Sequence, residues 1–178
     1  MEYPWYKIVN GDDIEQGDIM EKCPVFQFPP EFSYELLEDP TRSYDLGFKR
    51  YDTIVLSQTC DMVQGREKIN DVLLCSIWNR SDYKEGHFSK PEGWEEARKG
   101  RYPAYHILNH YESEQFNREF RVVDFKRIYS LPLDFLRNYA KSTGDRLRLL
   151  PPYREHLSQA FARFFMRVGL PVDIPPFK

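Results

Sequence analysis

Two short apolar runs, joined by a polar connection, constrain the fold of this chain more than any other stretch. Residues 53–56 (TIVL) and residues 72–78 (VLLCSIW) are apolar almost throughout. Apolar runs of this length between polar, turn-forming segments are typical of β-strands. The connection contains Gly65, so we predict that the two strands pair antiparallel. Because neither strand alternates between apolar and polar residues, we predict that both are buried.

The remaining elements predict an α+β fold with a mostly antiparallel sheet. Residues 119–129 (EFRVVDFKRIY) are expected to form a third strand, and residues 105–108 (YHIL) a shorter one. In residues 154–168 (REHLSQAFARFFMRV) the apolar side chains recur at helical spacing, which predicts a C-terminal amphipathic helix. Since Phe161 and Phe165 share that apolar stripe, we expect both in the core.

The length of 178 residues predicts one domain that spans residues 1–178. We expect the sheet core at about residues 14–130, with loop excursions at 20–50 and 79–104, and a helical part at 131–178. An excursion as long as the second one is suspected of carrying function.

Three sequence properties predict a cytoplasmic protein that does not contact a membrane. No segment approaches the roughly 18 consecutive apolar residues that a membrane-spanning helix needs. The first 18 residues are acidic and lack the apolar core of a signal peptide. The three cysteines are an odd number, which is typical of reduced thiols rather than of a disulfide framework.

The charges of the chain are distributed unevenly. Residues 1–48 carry eleven Asp/Glu and three Lys/Arg, whereas residues 118–167 carry five Asp/Glu and eleven Lys/Arg. A basic region of this kind predicts an anionic ligand such as RNA, and we expect Arg146, Arg148 and Arg163 to bind its phosphates. The alternative is that the acidic and basic regions face each other, or that both are solvated.

Four short motifs have a characteristic order along the chain. They lie at residues 16–19 (QGDI), 53–57 (TIVLS), 72–75 (VLLC) and 122–128 (VVDFKRI). This order resembles that of the MazF/PemK-like toxin family. The resemblance implies a mostly antiparallel SH3-like β-barrel with a C-terminal amphipathic helix. It also implies an RNA-binding protein or a metal-independent endoribonuclease that forms a homodimer and is neutralised by an antitoxin.

The resemblance also implies two catalytic residues. The family uses an arginine before the second motif and a serine or threonine after the third, and Arg50 and Ser76 are the nearest matches. RNA cleavage through the 2′-hydroxyl needs a base, an acid and a cation. We expect His106 to serve as base or acid if its strand lies beside the first two. The alternative function is a non-catalytic interaction module of a conflict or regulatory system, whose partner is an antitoxin or a larger effector protein.

A polar cluster follows the first apolar run and contains Ser57, Gln58, Cys60 and Asp61. It allows a third function, a hydrolase with Cys60 as its nucleophile, Asp61 as the orienting residue and His156 as a partner. The structural alternative is that these side chains bind turn amides, with Cys60 a small buried residue.

The sequence predicts no metal and no cofactor. A structural zinc site commonly uses two close pairs of ligands, and the chain has no Cys-x-x-Cys pair. His106 and His110 are four residues apart, which suits a helix, but they lie in a predicted strand.

Overall fold

A five-stranded antiparallel sheet forms the centre of the chain. The computed structural model describes residues 3–28, 32–38, 43 and 47–166. The strands are β1 (Tyr6–Val9), β2 (Ile19–Gln27), β3 (Gly47–Val55), β4 (Asp71–Asn79), β5 (Tyr105–Leu108), β6 (Tyr111–Glu112), β7 (Asn117–Arg118), β8 (Arg121–Pro132) and β9 (Arg146–Leu149). The α-helices are α1 (Pro91–Arg98), α2 (Leu133–Thr143) and α3 (Tyr153–Phe165). Single 3₁₀ turns occur at Tyr34–Glu38, Thr59–Asp61, Arg80–Asp82 and His87–Ser89.

The main sheet has the strand order β2-β3-β4-β8-β5, and every neighbouring pair is antiparallel. The predicted pairing of the two apolar runs is confirmed, because Thr53 lies opposite Ser76 and Val55 opposite Leu74. The strand predicted at 119–129 is β8, and it pairs with β4 on one side and β5 on the other. The prediction of an α+β fold with a mainly antiparallel sheet is therefore confirmed.

A second sheet, of two strands, pairs β1 with β9, and neither strand was predicted from the sequence. The turn at Gln16–Asp18 joins it to the main sheet. Gly17 donates its N–H to the Val55 carbonyl and accepts the N–H of Leu149, both at 2.9 Å. Its φ of 86° lies in the left-handed region, and a Cβ at this position would come within 3.0 Å of the Leu149 Cβ. Glycine is therefore the residue that this junction requires.

Apolar side chains cover both faces of the main sheet. On one face, α3 and the β1–β9 pair form a core that includes Ile54, Cys75 and Leu157. On the other face, α2 forms a second core with Val55 and Leu74. In a smaller cluster α1 packs with β8, and this cluster includes Phe88, Trp94, Ala97 and Val122. Along residues 53–55 of β3 and 74–77 of β4, consecutive side chains therefore point to opposite faces that are both buried, whereas Leu73 of the predicted run is 41% exposed.

The apolar stripe of α3 is buried only in part. Leu157 is fully buried and Phe161 packs against the first core, but Phe165 is 58% exposed. The prediction that Phe165 is a core residue is wrong. Phe165 lies at the last position of α3, where its ring contacts those of Phe161 and Phe164 at 5.1 and 4.9 Å between centroids. Residues 167 and 168 of the predicted helix lie outside the described residues.

Among the described helices, none combines the length and the apolar character that crossing a lipid bilayer requires.

Candidate functional site

A cavity of about 570 Å³ opens at the free edge of β5, between α1 and α3. We call it the edge cavity. Its lining is aromatic and basic: it includes the rings of Trp5, Tyr102, Tyr105, Phe120 and Tyr153, the imidazoles of His106 and His156, and the guanidinium groups of Arg98 and Arg163. Aromatic walls with a few convergent polar groups are typical of ligand sites.

The edge cavity differs from three other cavities of the protein in the charge of its lining residues. Among the described residues that line it, none is Asp or Glu. Three smaller cavities among the described residues, of about 410, 110 and 440 Å³, each contain at least one carboxylate. The guanidinium of Arg98 is held by Glu95 through two hydrogen bonds of 2.7 Å, whereas Arg163 makes no ion pair with any described residue. Arg163 is therefore the available cation in a cavity suited to an anionic ligand.

His106 contributes a buried nitrogen without a hydrogen-bond partner. Its Nε2 atom has no partner among the described residues, and its ring lies against Phe125 with 6.5 Å between centroids. Burial, and then the positive charge of His156, lower the pKa of His106 to about 4. The imidazole is therefore neutral at pH 7. A buried polar atom that the protein leaves unpaired is costly, so it points to a ligand that supplies the missing hydrogen bond.

The wall opposite the sheet edge is fixed by the junction of β1 and α3. Trp5 and Tyr153 stack in parallel with 3.7 Å between ring centroids and an angle of 10°. The Leu150 N–H donates to the Trp5 carbonyl at 2.8 Å, and this bond ties the end of β9 to the segment before β1. The ring stack and this backbone bond together fix the position of the indole in the cavity wall.

The sequence did not identify Trp5 as a site residue, because Trp5 and Tyr153 are far apart in the chain and come together through the β1–β9 pairing. A signal existed for the other side of the cavity. His156 and Arg163 are seven residues apart on a predicted helix, and this spacing puts them on the same face.

The three predicted catalytic residues, Arg50, Ser76 and His106, do not form one site. Ser76 is fully buried and donates its hydroxyl to the Tyr129 hydroxyl at 3.1 Å. His106 lies opposite Val123, which belongs to the core under α3, as does Ile77. Because successive strand residues point to opposite faces, Ser76 lies on the face that α2 covers, away from His106.

Arg50 occupies a third location, on the outer part of β3. It is exposed, donates from Nη1 to the Lys22 carbonyl at 3.1 Å, and lies over the ring of Phe48 at 5.4 Å. Its neighbour across the sheet is Pro24 on the edge strand β2. The strand that carries His106 is β5, which lies at the other edge of the sheet. The width of the sheet thus separates the predicted cation from the predicted acid or base.

Two of the three arginines predicted to bind RNA are buried in the protein. Arg146 and Arg148 are each 4% exposed, and both contact the carboxylate of Asp18, which is fully buried. Arg146 also donates to the Gly11 and Asp13 carbonyls. The prediction that these two guanidinium groups contact phosphate is corrected, because the acidic and basic regions meet here inside the protein. Arg163 is exposed.

The side chains of the polar cluster after β3 bind backbone at Ser57 and other side chains at Cys60 and Asp61. The Ser57 hydroxyl accepts the Leu73 N–H at 2.9 Å, and Asp61 pairs with Lys68 at 3.1 Å. The exposed Cys60 thiol donates to Asp61 at 3.6 Å, and Gln58 and Cys60 line the cavity of about 410 Å³. The predicted partner of the thiol, His156, lines the edge cavity instead. The Ser57 contact agrees with the structural alternative, whereas the Asp61 carboxylate binds two side chains and Cys60 is exposed rather than buried.

The described residues contain no group of three or more His, Cys, Asp or Glu side chains arranged to hold a metal ion. Comparison of the chain with protein-family models, with curated proteins and with solved structures gave no match. The functional assignment below therefore depends on the geometry and the charges of the edge cavity.

Proposed function

We propose that the protein binds RNA in the edge cavity and cleaves it as an endoribonuclease. One observation carries the proposal: two imidazoles and an unpaired guanidinium line an aromatic cavity in which no described residue is acidic. A base, an acid and a cation are the groups that cleavage through a 2′-hydroxyl requires. Aromatic rings beside them suit the stacking of bases.

The chemical step assigns one role to each group. Neutral His106 takes the proton of the 2′-hydroxyl, and the 2′-oxygen forms a bond to phosphorus. The bond from phosphorus to the 5′-oxygen breaks, and protonated His156 donates a proton to that leaving oxygen. The products are a 2′,3′-cyclic phosphate and a free 5′-hydroxyl. Arg163 binds the phosphate oxygens, on which negative charge increases in the transition state.

The low pKa of His106 fits this role only when RNA is bound. At a pKa of about 4 an imidazole is a weak base at pH 7. A bound phosphodiester raises that pKa, because its negative charge favours the imidazolium form and offsets the charge of His156. Proton abstraction would therefore depend on the substrate.

The relation to MazF/PemK-like toxins and their SH3-like barrel belongs to the same proposal. The four motifs behind that resemblance fall on or beside β2, β3, β4 and β8, which are consecutive strands of one antiparallel sheet. Register shifts in β2 and at Cys75 of β4 bend these strands, as the strands of a small open barrel must bend. In this proposal the cleavage site lies at the β5 edge, away from Arg50 and Ser76.

The test measures binding and cleavage of a mixed-sequence RNA by purified protein. Arg163→Ala should weaken binding and reduce the dependence of log Kd on log salt by about one, because one phosphate contact is lost. Arg66→Ala is the matched control, since Arg66 is exposed and has no ion pair with the described residues. His106→Ala and His156→Ala should each slow cleavage by about 10²-fold or more.

Arg50→Ala and Ser76→Ala distinguish the edge cavity from the site that the resemblance implies. Both should cleave as the wild type does. Cleavage that disappears with Arg50→Ala and survives His106→Ala would move the site to β3. RNA binding without cleavage would assign the protein to the non-catalytic interaction modules. No binding even at low salt would refute the proposal.

A further inference from the structure

The outer edge of β5 offers backbone hydrogen-bonding groups to the edge cavity. The Phe125 N–H donates to the Ala104 carbonyl at 2.9 Å, and His106 and Leu108 follow in the same register opposite β8. In an antiparallel pair, every second residue directs its N–H and C=O to the partner strand, and the residues between them direct theirs away. The carbonyl of Tyr105 and the N–H of Ile107 therefore point away from β8.

These two groups lie together on the free side of the strand. The sheet order ends at β5, so the described part of the chain places no further strand beside it. Tyr105 and Ile107 both line the edge cavity. An acceptor and a donor in neighbouring positions on a sheet edge form the pattern that an added strand would use, or that the edge of a planar ligand can use.

We propose that this edge binds the hydrogen-bonding face of one unpaired nucleobase, so that the protein selects single-stranded RNA. The inference rests on the proposed function, because it concerns the same cavity. The Tyr105 carbonyl accepts a hydrogen bond from an N–H of the base, and the Ile107 N–H donates one to an acceptor atom of the base. The phosphate next to that base binds Arg163, and the aromatic wall contacts the face of the ring.

The chemistry of the cavity favours a base over a peptide strand. β5 has only four residues, so an added strand would gain few main-chain hydrogen bonds. The aromatic lining and the unpaired Arg163 complement a planar ring that carries a phosphate. Each of the four RNA bases has a donor and an acceptor next to each other on its Watson–Crick edge. These atoms are free in a single strand and occupied in a duplex, which predicts selection by strandedness rather than by sequence.

The first experiment changes the ligand and leaves the protein intact. Binding of labelled oligouridylate is compared with binding of the same oligomer methylated at N3 of every base, and with an RNA duplex of the same length. Methylation removes the N3–H donor while the phosphates remain. We expect the methylated oligomer to bind about tenfold more weakly, which corresponds to one lost hydrogen bond. The duplex should bind more weakly still.

The second experiment removes the protein's donor. Ile107→Pro deletes an N–H that faces away from β8, so it breaks no hydrogen bond of the sheet, and an edge strand tolerates proline at such a position. It should weaken binding of oligouridylate about tenfold and change binding of the methylated oligomer less, because the N3 methyl group already keeps that base away from the strand edge. Ile107→Val keeps the amide and is the matched control. If Ile107→Pro does not fold, the comparison of the two oligomers decides alone.

The outcomes separate this inference from the proposed function. Equal binding of methylated and unmethylated oligomer, or of single strand and duplex, would overturn the inference while RNA binding stands. Absence of RNA binding would overturn both. Displacement of a bound oligomer by an unfolded polypeptide, with equal affinity for both oligomers, would assign the β5 edge to strand addition by a peptide.

Discussion

Replacing Asp18 by Asn should destabilise the fold strongly, because Asp18 compensates two buried positive charges. Its carboxylate is fully buried and accepts from Arg146 Nε at 2.9 Å and from Arg148 Nε and Nη2, the latter at 2.9 Å. The two guanidinium groups also donate to main-chain carbonyls of residues 11 and 13, so they cannot turn to solvent without losing those bonds. Asparagine preserves the shape of the side chain and removes its charge.

The expected loss follows from the cost of leaving a buried charge unpaired. Removing one partner of a buried ion pair costs about 3–5 kcal/mol of unfolding free energy. The upper part of that range applies here, since one carboxylate serves two arginines, although Glu15 also pairs with Arg148 and limits the loss. A domain has about 5–15 kcal/mol in total, so the variant should lose a third or more of its stability.

Urea denaturation, followed by tryptophan fluorescence, measures the change in unfolding free energy. The slope of that free energy against urea concentration should be the same for the variant and the wild type. Asp12→Asn is the matched control, because the same change is made six residues earlier at an exposed position. It should change stability by less than about 0.5 kcal/mol. A loss below about 1 kcal/mol for Asp18→Asn would refute the reasoning: Arg146 and Arg148 would then be hydrated, and their contact with RNA phosphate would again be the better interpretation.

Two further predictions concern the edge cavity and α3. The pKa of His106 is about 4 in the folded protein and 6.5 when unperturbed, so the unfolded chain binds more protons between these values. Stability should be complete above pH 6.5 and fall by on the order of 3 kcal/mol as pH decreases to 4, and His106→Gln should remove that part of the loss. A stability profile of His106→Gln parallel to that of the wild type would contradict this. In α3, Phe161→Ala should cost about 3 kcal/mol in thermal denaturation. Phe165→Ala should cost less than about 1 kcal/mol because Phe165 is mostly exposed, and equal losses would mean that Phe165 is covered.

The strands and the helix that the sequence predicted well are those with strong local patterns. The apolar runs became β3 and β4, the run at 119–129 became β8, and the helical stripe became α3. Each pattern spans about one element, and only one type of secondary structure places all of its apolar residues on a face that can be buried. The prediction for Phe165 failed because periodicity describes the direction in which a side chain points. It does not tell how far the sheet beneath the helix extends.

The sequence also carried the basic character of the C-terminal region, but not the location of each charge. Nothing in the local sequence distinguishes the burial of Arg146, Arg148 and Arg163. The first two lie in a segment that alternates arginine with leucine. Burial of an arginine requires a carboxylate from elsewhere in the chain. Asp18, 128 residues before Arg146, supplies it.

The candidate site is a product of the tertiary structure. His106 is on an edge strand, His156 and Arg163 are on α3, and the β1–β9 pair brings Trp5 against Tyr153. The sequence determined the local elements and identified His106 and Arg163 as candidates, since local patterns and residue chemistry are properties of short stretches. Only the tertiary structure decided that these two share a cavity while Arg50 and Ser76 do not, because faces and edges of a sheet exist only after strands distant in sequence have paired.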